Sequence, residues 1–201
     1  MRALLLRVLA WTCPRREERG FQFIDLGASG LLESLANRSL EALSLIETYD
    51  PRRFARLKRD LKRFALIDGG GEFYHHGLGA YVMDAGNMQA RSIPELAAAI
   101  VHEATHARLA RFGFVGAKVA ERDRLERICT EAEAQFAARL PGGEALAKDI
   151  RAKLATRWWT NDALHSRRLE QLRASGLPAW LIAIYRRLFS RRHNSDESPG
   201  R

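Results

Sequence analysis

The chain has 201 residues, of which 46% are hydrophobic and 28% charged, a balance that suits a folded globular protein and excludes a disordered one. Its 33 Lys and Arg against 24 Asp and Glu leave a net charge of +9, which would favour nucleic acid, acidic peptides or an anionic membrane surface. No zinc-finger, RNP-like or other nucleic-acid signature accompanies that charge, and runs such as Arg52, Arg53, Arg56, Lys58, Arg59, Lys62 and Arg63 read as solvated helix faces.

Taken in order, residues 1–11 form an apolar segment interrupted by Arg7, with no A-x-A site after it. The expectation is an amphipathic segment that packs on the body or touches a membrane surface, not a cleaved signal peptide. Residues 12–28 read as irregular. A first long helix is expected from Leu31 to Tyr49, burying Leu35, Leu43 and Ile46. Asp50-Pro51 restarts a helix, with Asp as the cap and Pro at the first position, and that helix runs to about Arg63. Strand chemistry follows over 64–67, 72–75 and 80–84, punctuated by Asp68-Gly69-Gly70-Gly71 and by Gly77 and Gly79. The only sheet expected therefore lies between about 64 and 84. Strand 80–84 reads as a half-buried edge that could add an extended peptide.

A helix with clear ends comes next. Ser92 and Glu95 form a capping box, Pro94 lies in the first turn and Gly113 is the stop. Further helices are expected over 118–140, 144–157, 160–174 and 179–189, with Trp158 and Trp159 as core or groove residues and a disordered tail over 191–201. The fold class is α+β and predominantly helical: a single domain over 1–190, its core at about 64–141 and a helical extension over 144–190. Cys13 and Cys129 are far apart and outside any CxxC, which fits a reducing, cytoplasmic setting. The last helix and the first segment are both apolar and basic enough for a peripheral contact with the inner membrane surface.

Residues 102–106 carry the chemistry. His102-Glu103-Ala104-Thr105-His106 is HExxH, and on a helix it sets two imidazoles one turn apart on one face. Both can then bind one Zn²⁺, with Glu103 beside the open position as general base. Ala99, His102, His106 and Leu109 follow 3-4-3 spacing, so the imidazoles share the helix's buried stripe. Leu109 and Phe112 stand where HExxHxxGxxH would need Gly and His, so a third histidine ligand of that pattern is excluded. The third ligand is then sought among Glu121, Glu126, Glu131 and Glu133 on the following helix. With a stripe read as Leu125, Ile128, Cys129, Ala132, Phe136 and Leu140, Glu133 lies near its edge and Glu131 points away. Adjacent His75 and His76 point to opposite faces of a strand and read as loop or edge residues, and Asp84 reads as a turn former.

Residues 80–140, with His102-Glu103-x-x-His106 and the acidic run Glu131-Ala132-Glu133-Ala134-Gln135, resemble a small gluzincin-type zinc metallopeptidase. The resemblance implies a zincin-like core, a Zn²⁺ cofactor, a peptide or protein substrate and an acidic third ligand. It also implies an acid four residues after that ligand to support a ligand His. Glu131 has Gln135 at that offset and Glu133 has Ala137, which keeps Glu131 as the alternative to Glu133. Tyr81, His165 and Tyr185 are candidate donors to the oxyanion. A second reading keeps the zinc and the fold without turnover, as a binding or regulatory protein.

Overall fold

Two residues of positive φ, Arg19 (54°) and Gly20 (83°), join the first two strands, β1 (Arg15–Glu18) and β2 (Phe21–Asp25), into a tight hairpin. The structure, a computed structural model, describes residues 12–27, 30–69, 71–115 and 119–156. The hairpin corrects the expectation that 12–28 is irregular and that the sheet is confined to 64–84. Its signal was the Arg-Gly pair between two short runs, masked by the charge of Arg15-Arg16-Glu17-Glu18. The hairpin leads to helix α1 (Leu32–Tyr49), α2 (Pro51–Asp60), strands β3 (Arg63–Ile67), β4 (Phe73–His75) and β5 (Ala80–Asp84), then α3 (Ala85–Ala90), α4 (Ile93–Arg111), α5 (Val119–Ala137) and α6 (Glu144–Thr156). The fold is α+β, with a mixed five-stranded sheet in the order β1-β2-β3-β5-β4.

β2, β3 and β5 run parallel, and β1 and β4 pair antiparallel at the two edges. β5 is therefore an inner strand, and all five of its residues are buried. This corrects its reading as a half-buried edge: the strand beside it, β4, has the free edge. Alternation along the strands explains the packing. Phe21, Phe23, Phe64, Leu66, Tyr81 and Met83 point to one face, where Leu35, Leu43, Ile46, Leu57, Leu96 and Ile100 of the helices meet them. Phe23 and Phe64 stack with centroids 5.1 Å apart, and Phe21 meets Phe64 edge-on at 5.7 Å. Each such ring contributes about 1.5–3 kcal/mol by leaving water. The opposite face buries a smaller set, Ala65, Leu78, Ala80 and Val82.

Local signals hold the helix ends. Asp50 accepts from the backbone N–H of Arg53 and starts α2 with Pro51 in its first turn. Asp84 accepts from Asn87 N and caps α3, a short helix absent from the sequence reading. Ser92 and Glu95 form the full capping box on α4, and Gly113, at φ 85°, follows its end. Asp60 ends α2 with its side chain only 1% exposed. Arg59 donates to it from Nε and Nη2 at 2.9 Å, and Arg111, at the end of α4, donates at 2.8 Å. The bonds from Arg59, helped by Arg111 and opposed by burial, hold the Asp60 carboxyl below its ordinary value.

The chain divides into two compact units, Met1–Thr156 and Arg157–Arg201. Residues 1–11, Trp158-Trp159, the helices expected at 160–174 and 179–189, the tail, His165 and Tyr185 all lie outside the described residues. Among the described residues, no helix is long and apolar enough to cross a membrane.

Ser92→Ala removes one half of the capping box, and the expected loss is about 1 kcal/mol in urea denaturation. A loss near zero would show that tertiary packing alone fixes the start of α4. Asp60→Asn is expected to cost about 1–2 kcal/mol at pH 7. Because the folded carboxyl titrates below its unfolded value of about 3.9, its contribution is complete above that pH and disappears as the pH falls through the folded value. The stabilities of wild type and variant should converge in acid; a gap that stays constant down to pH ~2 would contradict this account.

Candidate metal centre

The HExxH of α4 faces α5, and the space between these helices is where the buried charge of the protein collects. His102 and Glu103 are 5% and 7% exposed. The i and i+4 spacing brings the two imidazoles together, with His102 Nε2 and His106 Nε2 3.2 Å apart. From α5, Glu126 reaches both of them: Oε2 lies 3.4 Å from His102 Nε2 and Oε1 lies 3.5 Å from His106 Nε2. Two helical turns further on, Glu133 Oε2 lies 2.9 Å from His102 Nδ1. A carboxylate accepts, so Nδ1–H donates to Glu133, and loss of the second ring proton would leave the lone pair of His102 on Nε2.

The geometry thus separates two roles that the sequence had merged. Glu133 belongs to the site, but it orients His102 from behind. The carboxylate at the Nε2 pair is that of Glu126. Glu131 turns away and pairs with Arg151 of α6 at 3.1 Å, and it also takes Gln135. The carboxylate at His102 Nδ1 stands seven residues after the one at Nε2; four residues after Glu126 is Thr130, whose buried Oγ1 has no hydrogen-bond partner. The stripe on α5 was misread because Ile128 is 41% exposed, while the small residues Thr130, Ala134 and Ala137 are buried. With those included, Glu126 and Glu133 fall at the centre of the buried face, not at its edge. The 3-4 spacing of Glu126, Cys129 and Glu133 was the available signal.

Cys129 completes the cluster. Its Sγ and one ring nitrogen from each of His102 and His106 lie within 4.8 Å of one another. The thiol is fully buried, and burial first, then Glu126, Glu103 and Glu133, push its pKa up.

Electrostatics shows what the site asks for. Burial opposes a charge on His102, but Glu126 and Glu133 outweigh it and raise the imidazole to about 10. Burial likewise opposes the Glu126 anion, and His102 and His106 overcome it, lowering the carboxyl to about 2. Glu103 is raised by its burial, against the pull of His102 and His106, and the backbone N–H of Tyr74 on β4 faces its carboxylate. Glu103 Oε2 is buried with no hydrogen-bond partner, and Glu126 Oε2, also without a hydrogen bond, has His102 Nε2 as an ion-pair partner at 3.4 Å. Buried carboxylate oxygens of this kind require a counter-charge. A divalent cation held by nitrogen and oxygen donors fits that demand, since two Nε2 atoms and a carboxylate spaced 3.2–3.5 Å apart match donors about 2.0–2.1 Å from one ion.

The remaining candidates are placed as follows. Tyr81 is fully buried, its ring tilted against Phe64, and its hydroxyl is a core group near the charges of Glu72, Glu103 and Arg91. It is not exposed to a cleft from which it could meet a substrate oxygen. Glu72 and Arg91 pair with each other behind Glu103. His75 Nδ1 accepts from the backbone of Leu78, as a turn residue does. His76 packs edge-on against Tyr74 at 5.1 Å and is close enough to His106 for their charges to oppose, which with burial lowers its pKa. The sequence reading had set His76 aside; only the return of β4 alongside α4 brings it near the site. A scan against protein-family models and searches of curated proteins and of solved structures found no match to this chain.

Proposed function

We propose that this protein is a zinc-dependent hydrolase of the gluzincin type, acting on peptide bonds. The observation that carries the reading is the carboxylate of Glu126 set across the paired Nε2 atoms of His102 and His106, with an unpaired oxygen of Glu103 buried in the same space. His102, His106 and Glu126 would hold the metal. Imidazole and carboxylate donors at this spacing suit zinc. Bound zinc would supply Lewis acidity, acidifying water and polarising a carbonyl.

The chain's own residues then have separate tasks. Glu133 fixes the tautomer and the plane of His102, so that Nε2 is always presented to the site. Glu103 is the proton carrier: burial raises its pKa toward the working range of a general base, and the N–H of Tyr74 holds its carboxylate in place. The free edge of the sheet at β4 lies beside this carboxylate, so an extended peptide added there would run past Glu103.

Two experiments test this reading. Glu103→Gln should retain about one zinc per chain while hydrolysis of a labelled, unfolded protein substrate falls by about 10²-fold or more. Unchanged hydrolysis would remove Glu103 from the mechanism. Glu126→Ala should lose zinc in a metal titration by at least tenfold in affinity, whereas Glu131→Ala should bind as the wild type does. Equal binding by both variants would place the third ligand elsewhere.

A further inference from the structure

The three donors already named leave a tetrahedral ion one position short, and a second α5 side chain stands at that position. Cys129 lies one turn after Glu126 and one turn before Glu133, on the same face of α5. Its Sγ is within 4.8 Å of a ring nitrogen of both His102 and His106. Glu133 does not compete for the position, because its Oε2 is on the Nδ1 side of His102, away from the Nε2 pair.

The thiol is buried with the core, yet acidic groups bear on it. Cys129 is 0% exposed, yet it is absent from the main apolar cluster, which takes Ala134, Phe136, Ala137 and Leu140 from the same stretch of chain. The side chains that bear on it electrostatically are Glu126, Glu103 and Glu133. A small hydrophobe gains nothing from three neighbouring carboxyl groups. The unpaired oxygen of Glu103 independently marks this same space as one that suits a cation.

We propose that Cys129 is a fourth protein ligand of the metal, closing the site as a His102–His106–Glu126–Cys129 set in the resting protein, and that its sulfur must leave before hydrolysis can begin. The proposal rests on the metal centre described above and adds a regulation to it. Catalytic zinc sites keep one position open, whereas four protein ligands make a closed site. A zinc–sulfur bond of about 2.3 Å needs Sγ to approach the two nitrogens to about 3.6 Å, so a shift of about 1 Å completes the set.

X-ray absorption of the zinc-loaded, full-length wild type reads the donors directly and requires no variant. The expected result is one sulfur neighbour at about 2.3 Å among nitrogen and oxygen donors. The cobalt(II)-substituted protein should show a thiolate-to-metal charge-transfer band in the near ultraviolet. That band should vanish in Cys129→Ala and Cys129→Ser while one cobalt per chain is retained, and it should persist in Cys13→Ala. Hydrolysis by Cys129→Ala should exceed that of the wild type by at least tenfold. One bound zinc with only nitrogen and oxygen neighbours would overturn the ligation and leave the metal centre intact. A sulfur neighbour together with no gain of hydrolysis in either Cys129 variant would overturn the gating. A protein that takes up no metal at all would overturn the centre itself, and the ligation with it.

Discussion

Three carboxyl groups, a buried one of Glu103 and half-buried ones of Glu126 and Glu133, crowd around two imidazoles, and that concentration of acidic groups sets the terms for the rest of the molecule. Desolvating each anion costs several kcal/mol unless positive charge and hydrogen bonds offset it. Without a metal, His102 supplies the offset by holding its proton, which is why its pKa rises while that of Glu126 falls. A divalent cation would satisfy the same carboxylates with twice the charge and would release that proton. The site is therefore built for a positive occupant, and the choice lies between a proton and a metal.

Such a cluster needs walls that do not yield, since relaxation of the backbone would admit water and lower the energetic stakes. α4 is pinned along its length. Its start is fixed by the reciprocal bonds of Ser92 and Glu95, its middle by Leu96, Ile100 and Val101 in the main core, and its end by Arg111 on the buried Asp60. The sheet beneath it presents stacked aromatic rings that tolerate little displacement. β4 is the one element that connects this scaffold to the chemistry, because its backbone N–H at Tyr74 addresses Glu103 while its neighbour β5 is buried on both sides.

The division of labour on α5 follows from helical geometry. Positions 126, 129 and 133 share a face, but they reach α4 at different heights. The lowest meets both Nε2 atoms, the highest meets Nδ1 of His102, and the sulfur stands between. A carboxylate on Nδ1 and a carboxylate on Nε2 act on different nitrogens of one ring: the first fixes the Nδ1 proton, and the second accepts from Nε2–H while that nitrogen is protonated. Two glutamates of identical chemistry thus meet different ring nitrogens from a difference of two helical turns.

Much of this was legible in the chain before any coordinates. The HExxH spacing determines that His102 and His106 face the same way whenever the segment is helical, and Ser92, Pro94, Glu95 and Gly113 determine that it is helical. Asp50-Pro51 likewise fixes a boundary by local bonding alone. These signals work because each acts within about one turn of backbone. What only the tertiary structure decided is which residues meet across the fold. The hairpin of β1 and β2, the inner position of β5 and the approach of His76 all depend on strand order, which no local pattern encodes. The choice of Glu126 over Glu133 at the Nε2 pair depends on the rotation of α5 against α4. The buried face that rotation selects includes small residues, Thr130, Ala134 and Ala137, whose side chains carry too little hydrophobicity to be read from the sequence.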